Sequence, residues 1–198
     1  MSDSDKHATT TMGRPRDPAI DDAILEATRA LLIDVGYPRL SFENIAQRAG
    51  VTRPTIYRRW PSKMHLVHEA VFPALQPALA PDTGHIESDL RQLIHRMFVS
   101  YSRPEARAAL PGLLADLHDD PALRHNVIDR LEDQARAQFK EVVSRAQRRG
   151  ELATDLDADL VLDTITGALF HRVVARQQLS KKFADHLGDL VLEGIRPR

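Results

Sequence analysis

The amino-acid sequence predicts an all-α fold. Apolar residues recur at helical spacing along most of the 198 residues, as Ile20 and Ile24 do near the start. Helix starts and stops separate these segments: Asp17 with Pro18 is suited to begin a helix, and Gly36 is suited to end one. We find no stretch that alternates apolar and polar residues in the pattern typical of a strand. The chain is therefore expected to pack helix against helix.

These signals predict about nine helices, each with its own boundary residues. Ser41 caps the second helix, which ends at Gly50, and Pro54 is tolerated in the first turn of the third. Pro61 with Ser62 ends the third helix and caps the fourth. The predicted spans are 18–35, 42–49, 52–60, 63–79, 86–101, 105–117, 121–150, 157–178 and 181–194.

The composition is that of an ordinary globular protein and excludes several classes of function. Hydrophobic residues make up 42% of the chain and charged residues 28%. The 27 Lys and Arg residues are balanced by 28 Asp and Glu residues, which argues against a protein that coats nucleic acid along its whole length. The absence of cysteine excludes disulfides, cysteine-ligated zinc and thiol redox chemistry.

The sequence does not predict a membrane partner. The N-terminal residues are polar and lack the apolar run of a signal peptide. No stretch approaches the roughly 18 apolar residues that suggest a membrane span. A cytoplasmic location is therefore expected.

Positive charge is concentrated in one short segment of this balanced chain. Residues 39–63 contain six Lys or Arg and a single acid, Glu43. The segment also has the parts of a helix-turn-helix: Ala46 is small where the two helices meet, Gly50 lies in the turn, and apolar residues can lock the second helix against the first. Those apolar residues are Ile45, Val51 and Ile56.

The basic side chains of the second helix of this motif are predicted to point outward. Arg53, Arg58 and Arg59 would then present positive charge on the face that enters a major groove. The alternative is a solvated basic face on a small helical hairpin, because charge runs are usually solvated faces. DNA binding is favoured because four features agree: the small residue, the turn glycine, the three apolar residues and the outward arginines.

An ordered set of short motifs surrounds the basic segment. The set is Gly36-Tyr37, Ser41-Phe42-Glu43-Asn44-Ile45-Ala46, Ala49-Gly50-Val51, Thr55-Ile56-Tyr57, Trp60-Pro61-Ser62-Lys63 and Leu66. Through these motifs residues 17–66 resemble the DNA-binding domain of the TetR family of transcriptional regulators. Trp60 departs from the smaller aromatic ring more usual in that family and is still expected to pack in the core. The remaining helices fit the family in number, length and order.

The residues expected nearest the DNA lie on and beside the second helix of the motif. An arginine fork matches guanine O6 and N7, and a good pair is worth ~1–3 kcal/mol of discrimination. The residues assigned to base edges are Arg53, Pro54, Thr55 and Arg58, and Thr52 is a further candidate for DNA contact. The resemblance further implies that Tyr57, Arg59 and Lys63 bind phosphates.

Three other residues are candidates for DNA contact. Ser41, like Lys63, lies at a helix N-terminus, where exposed amides favour an anion, although a plain N-cap is an equally good interpretation. Arg14 and Arg16 flank a proline just before the first helix and could reach an adjacent minor groove. The alternative for this arm is a disordered basic tail that adds only non-specific attraction.

The chain is accordingly divided into three parts. Residues 1–12 are expected to be a disordered tail and residues 13–63 a helix-turn-helix DNA-binding domain. Residues 64–198 carry 17 basic and 20 acidic side chains, a balance unsuited to DNA contact. In the TetR family this part dimerises and encloses an effector pocket. The resemblance therefore implies three partners: a double-stranded DNA operator, a second copy of the chain and a small-molecule effector of unknown identity.

Stripes of small and apolar residues supply candidates for the interface and the pocket. Small residues let helices of two chains approach closely, in the manner of a four-helix interface. The interface candidates are Leu160, Thr164, Gly167, Ala168, His171, Leu187 and Leu190. The pocket candidates are Met97, Phe98, Tyr101, Leu114, Leu117, Phe139 and Phe170. Ordinary packing within one chain is the alternative for both stripes.

The leading functional hypothesis is a homodimeric repressor that an effector releases from a palindromic operator. An activator or a ligand-independent regulator of the same fold is the alternative. A helical adaptor for acidic proteins and an all-α enzyme are the alternatives without DNA, although no nucleophile elbow, phosphate loop or HExxH pair is present. His65 and His68 lie three residues apart, but converging metal ligands cannot be read from the sequence, so neither a metal nor a cofactor is expected.

Overall fold

The structure is a computed structural model that describes residues 17–72, 80–119, 121–176 and 178–196, with only the backbone described for 119, 121–132 and 134. Within these ranges all regular structure is helical, as the sequence predicts, with nine α-helices and one short 3-10 turn at Tyr37–Arg39. The α-helices are α1 (Pro18–Val35), α2 (Phe42–Ala49), α3 (Arg53–Tyr57), α4 (Lys63–Val71), α5 (Ile86–Ser102), α6 (Pro104–Asp119), α7 (Pro121–Arg148), α8 (Ala158–Val174) and α9 (Lys181–Ile195).

Polar caps fix where several helices begin. Asp17 accepts a hydrogen bond of 3.0 Å from the amide of Ala19, and Pro18 is the first residue of α1. Ser62 and Ser180 cap α4 and α9 by accepting from the amide three residues further on. Each cap satisfies an amide that a helix start otherwise leaves without a partner.

Three helices end three or more residues earlier than the sequence predicts, among them α8, which ends at Val174 rather than near Gln178. α3 ends at Tyr57 rather than near Trp60, and residues 58 and 59 form a hydrogen-bonded turn. Pro61 follows this turn and has no amide hydrogen with which to extend the helix. α4 ends at Val71, whereas the prediction extended to residue 79; residues 73–79 lie outside the described part of the chain.

The first hydrophobic core joins α1, α2, α3 and α4. Ile24, Ile56 and Leu66 are fully buried in it. Trp60 is also buried there, and its indole N–H donates to a carboxylate oxygen of Glu69 at 2.7 Å. The larger ring therefore packs in the core as expected, with its polar nitrogen satisfied.

A second core joins α5, α7, α8 and α9. Leu90, Phe139, Ile165 and Leu169 are buried at its centre. The four helices pack around these side chains as a bundle, which is the arrangement expected when amphipathic helices bury their apolar stripes against one another.

α6 contacts the N-terminal helices directly. Ala106 and Ala109 pack in the first core. Gly112 lies so close to Tyr37 that a Cβ at residue 112 would lie 2.1 Å from Cδ1 of the ring. One turn further along α6, the carboxylate of Asp116 accepts a hydrogen bond from the Tyr37 hydroxyl. Burial, together with this bond, raises the pKa of Tyr37, so the hydroxyl stays protonated and donates.

The packing of α4 bears on where the N-terminal unit ends. Met64 and Val67 lie in the first core, and α4 packs against α1. By packing, α4 therefore belongs with α1–α3, although it follows the predicted boundary at residue 63. The functional division at that residue stays a prediction.

Within the described residues, no helix is both long enough and apolar enough to cross a membrane.

Candidate nucleic-acid interface

The turn between α2 and α3 has the geometry that the sequence predicts. Gly50 adopts a left-handed conformation with φ 67° and ψ 29°, which side chains rarely tolerate. The amide of Val51 donates to the carbonyl of Ala46 at 3.0 Å, and this bond closes the turn. Ile45 and Ile56 are fully buried on either side of it. The helix-turn-helix predicted from these residues is confirmed.

The N-terminal half of α3 and the turn after it present a polar, basic surface. Arg53 and Arg58 are exposed, as predicted, and so are Thr52 and Pro54. Thr55 is half-buried, and its hydroxyl lies 3.0 Å from the hydroxyl of Thr52. This surface brings together Thr52 and the four residues assigned to base edges, and their contact with DNA stays a prediction.

Tyr57 lies beside this surface and is held in place by a second ring. Its ring is 51% exposed and meets Phe42 edge to face, with 4.6 Å between centroids. The guanidinium carbon of Arg53 lies 5.9 Å from the centroid of the same ring. Edge-to-face packing holds the ring while about half of the residue stays exposed, and its contact with a phosphate stays a prediction.

Arg59 does not point outward, and that prediction is wrong. Its side chain is only 12% exposed and forms an ion pair with Asp21 of α1. Its Nη1 also donates to the carbonyl of Thr55 at 3.2 Å. The residue follows α3 on the side that faces α1, so its charge is neutralised within the protein.

The two helix N-termini assigned to phosphates are ordered by local contacts. Ser41 is exposed and forms a reciprocal capping box with Asn44. Lys63, the first residue of α4, is half-buried, with Nζ 4.0 Å from the centroid of the Tyr37 ring and 3.5 Å from the Tyr37 carbonyl oxygen. Arg14 and Arg16 lie outside the described residues, so the minor-groove arm stays a prediction.

The histidines of α4 have separate local roles. Nδ1 of His65 lies 2.8 Å from the hydroxyl of Ser62, whereas Nδ1 of His68 is buried without a hydrogen-bond partner. Burial, with a smaller contribution from His65, lowers the pKa of His68 to about 4, so its ring is neutral at neutral pH. Among the described side chains, no group of three His, Asp or Glu could hold a metal ion.

The predicted pocket residues differ widely in burial. Phe139 is 2% exposed in the second core, and Leu114 is 41% exposed on the outside of α6. Leu114 is thus not enclosed among the helices, and its assignment to a pocket stays a prediction. Two surface cavities, of about 460 and 390 Å³, are lined by other residues. The other candidates are half-buried and stay predictions: Met97, Phe98, Tyr101, Leu117 and Phe170.

Most of the predicted interface residues form an exposed face on α8 and α9. Leu160 is 64% and Leu190 67% exposed, which is unusual for large apolar side chains. Leu187 is wrongly assigned to this face, because it is 6% exposed and packs in the second core. The remaining candidates are exposed or half-buried on α8: Thr164, Gly167, Ala168 and His171.

Sequence reasoning missed three residues that set the position of the basic surface. Asp21 forms the ion pair with Arg59. Gly112 and Asp116 contact Tyr37, whose ring lies next to Nζ of Lys63. Each contact joins residues far apart in the chain. The Pro-Gly pair at residues 111–112, inside a helical pattern, is the one local signal that could have drawn attention to α6.

The fold and this surface define the class of the protein: a helix-turn-helix DNA-binding head followed by a helical C-terminal part. Residues 24–70 match the family model described as "Bacterial regulatory proteins, tetR family". Residues 80–191 match the model described as "Tetracyclin repressor-like, C-terminal domain". The likeness to the family thus extends over the C-terminal helices, beyond the region in which short motifs are visible.

Relatives and solved structures agree with this class. The DNA-binding transcriptional repressor TetR of Mycobacteroides abscessus is 32% identical, over 88% of this chain and 93% of the relative. The HTH-type transcriptional regulator AqdR of Rhodococcus erythropolis is 26% identical, over 76% and 72%. A crystal structure of the TetR family transcription regulator SCO0332 has a TM-score of 0.70 at 29% identity, over 90% and 99%.

The chain belongs to the TetR family. It is a DNA-binding transcriptional regulator and not an enzyme.

Proposed function

We propose that the protein is a homodimeric repressor that a small-molecule effector releases from a palindromic operator. The observation that carries this proposal is the exposed apolar face of α8 and α9, with Leu160 and Leu190 about two-thirds exposed. Gly167 and Thr164 on the same face are small enough for the helices of a second chain to approach closely. A second copy that covers this face would remove both leucines from water.

A dimer explains how a head of moderate size selects one DNA site. α3 has five residues and presents few side chains to bases. A two-fold axis pairs two such heads, which can read half-sites about 34–36 Å apart on one face of the duplex. The operator is then a palindrome because its symmetry follows that of the protein.

Repression is supported by the relative from Mycobacteroides abscessus, which is named a transcriptional repressor. A dimer seated on an operator that overlaps a promoter excludes polymerase by occupying the DNA. No catalytic group is needed for this action.

The effector response is supported by the contact between α6 and the head. α6 contains Pro111, which removes one backbone hydrogen bond and allows the helix to bend next to Gly112. Gly112 packs against the Tyr37 ring, Asp116 accepts a hydrogen bond from its hydroxyl, and Nζ of Lys63 lies over the same ring. An effector that shifts α6 therefore moves a predicted phosphate-binding residue in the head.

A reporter assay tests the proposal. The operator is first selected from a random DNA pool with the purified protein, and is then placed at the promoter of a reporter in a strain that lacks the gene. We expect the protein to lower expression, and a variant with Arg53 and Arg58 replaced by alanine to leave expression at the level of the empty strain. A rise in expression would instead identify an activator, and a selected motif without a palindrome would contradict the dimer.

Gly112→Ala tests the contact between α6 and the head. The added methyl group would clash with the Tyr37 ring, so the ring, α6 or both must shift. We expect about a ten-fold loss of operator affinity and a loss of about 1–3 kcal/mol in the free energy of unfolding. Fluorescence anisotropy with the selected duplex and urea unfolding measure the two effects.

Gly188→Ala is the matched control, since its Cβ would lie 3.6 Å from Ile94, an ordinary contact inside the C-terminal bundle. It should bind the operator as the parent does. Unchanged affinity in folded Gly112→Ala would show that the contact does not transmit a shift of α6 to the DNA-binding surface.

A further inference from the structure

Arg59 connects the end of the recognition helix α3 to the start of α1. Its guanidinium forms an ion pair with Asp21, which lies in the first turn of α1. Both side chains are largely withdrawn from water, with 12% of Arg59 and 28% of Asp21 exposed. Solvent screens this pair less than it screens the exposed pair between Arg48 and Asp34.

The positions of the two charges along their helices also favour this pair. A helix start carries a partial positive charge and a helix end a partial negative charge. Asp21 is an anion near the start of α1, and Arg59 is a cation just after α3 that donates to the carbonyl of Thr55. Asp21 therefore stabilises the start of α1 and Arg59 the end of α3, in addition to attracting each other.

Among the described residues, few side chains of α3 itself reach the core. Its five residues pack against α2, and Ile56 is the residue of α3 that is buried in the core. Tyr57 adds the ring contact with Phe42. Ile56 and Trp60 anchor the chain in the core on either side of Arg59, and the bond from Arg59 to α1 adds a contact with a second helix at the C-terminal end of α3.

We propose that Asp21 and Arg59 are positioning residues that orient α3 for base recognition, and that Arg59 does not bind a phosphate. The inference rests on the DNA-binding class of the protein and is independent of its dimeric state, its effector and the sign of its regulation. An acid on the DNA-binding head then assists recognition, although its charge opposes the approach of DNA.

Asp21→Asn distinguishes this role from a purely electrostatic effect, because the two predict opposite changes in affinity for the selected duplex. Removal of a negative charge from the head should strengthen binding if Arg59 is free to reach a phosphate. If the pair orients α3, the same change should weaken binding to the selected duplex by about ten-fold. Asp22→Asn is the matched control: Asp22 is the exposed neighbour, and the change in net charge is identical.

The affinity for a scrambled duplex of the same length distinguishes orientation from a general loss of folding. Non-specific binding depends on phosphate attraction and not on base register. We therefore expect Asp21→Asn to change affinity for the scrambled duplex by less than about two-fold. A variant that had simply unfolded would lose both affinities, and circular dichroism spectra would report that loss directly.

The salt dependence of binding tests Arg59 itself. Loss of one phosphate contact lowers the slope of log K against log salt by about 0.9. We expect Arg59→Gln to weaken specific binding while keeping the parent slope, and the double variant Asp21→Asn/Arg59→Gln to bind no more weakly than either single variant. The proposal is overturned if Asp21→Asn binds as tightly as the parent, or if Arg59→Gln lowers the slope by about one phosphate.

Discussion

Replacement of both Arg53 and Arg58 with alanine is expected to abolish sequence-specific binding while leaving the protein folded. Arg53 is the first residue of α3 and Arg58 follows its last, and both side chains are exposed, so their truncation removes no core packing. A lost arginine–guanine pair costs ~1–3 kcal/mol, so two losses in one head weaken specific binding about 30-fold or more. Fluorescence anisotropy with the selected duplex, at about 0.15 M salt, measures the change.

The matched control removes two cations from the C-terminal part of the chain. Arg176 and Lys182 are exposed, and their replacement with alanine changes the net charge by the same amount. The control should bind within about two-fold of the parent, because distant exposed charges are screened. Equal losses in both variants would show that total charge, and not the surface of α3, determines binding.

Replacement of Leu160 and Leu190 with glutamate is expected to convert the proposed dimer to a monomer and to reduce operator affinity by about 100-fold or more. Both leucines lie on the exposed face of α8 and α9. A two-fold axis places every substitution in the interface twice, and a buried carboxylate without a partner is strongly unfavourable. Loss of the second head then removes the gain that comes from binding two half-sites together.

Sedimentation velocity gives the oligomeric state, and anisotropy gives the affinity. Ile33→Glu is the control, since Ile33 is a 56% exposed apolar side chain on α1, away from this face. It should stay dimeric. A double variant that stays dimeric would show that the dimer interface lies on another face. A monomer that bound the operator as tightly as the parent would contradict the proposed mechanism.

The features that could be predicted from the sequence are those fixed by neighbouring residues. Gly50 predicted a left-handed turn, and Ser41 predicted a helix cap, because both conformations depend on groups within one helical turn. Helical spacing likewise predicted that Ile45 and Ile56 are buried and that Arg53 is exposed. Most helix boundaries, and with them the fold class, follow from the same local rules.

The errors occurred where a side chain could face either of two surroundings. Leu187 and Leu190 lie three residues apart on α9, yet one is buried in the second core and the other is exposed. Periodicity places both on neighbouring positions of a stripe but does not say where the core ends and the open face begins. Arg58 and Arg59 are a similar pair: adjacent, chemically identical and directed to different sides of α3.

The sequence by itself thus determined the helices, the turn and the basic composition of the DNA-binding head. Tertiary structure decided which charges remain free for DNA and which parts of the chain can influence them. The ion pair of Arg59 with Asp21 spans 38 residues, and the hydrogen bond of Tyr37 with Asp116 spans 79. Contacts of this range depend on how whole helices pack, because local periodicity orients a side chain about its own helix axis and carries no information about the helix opposite.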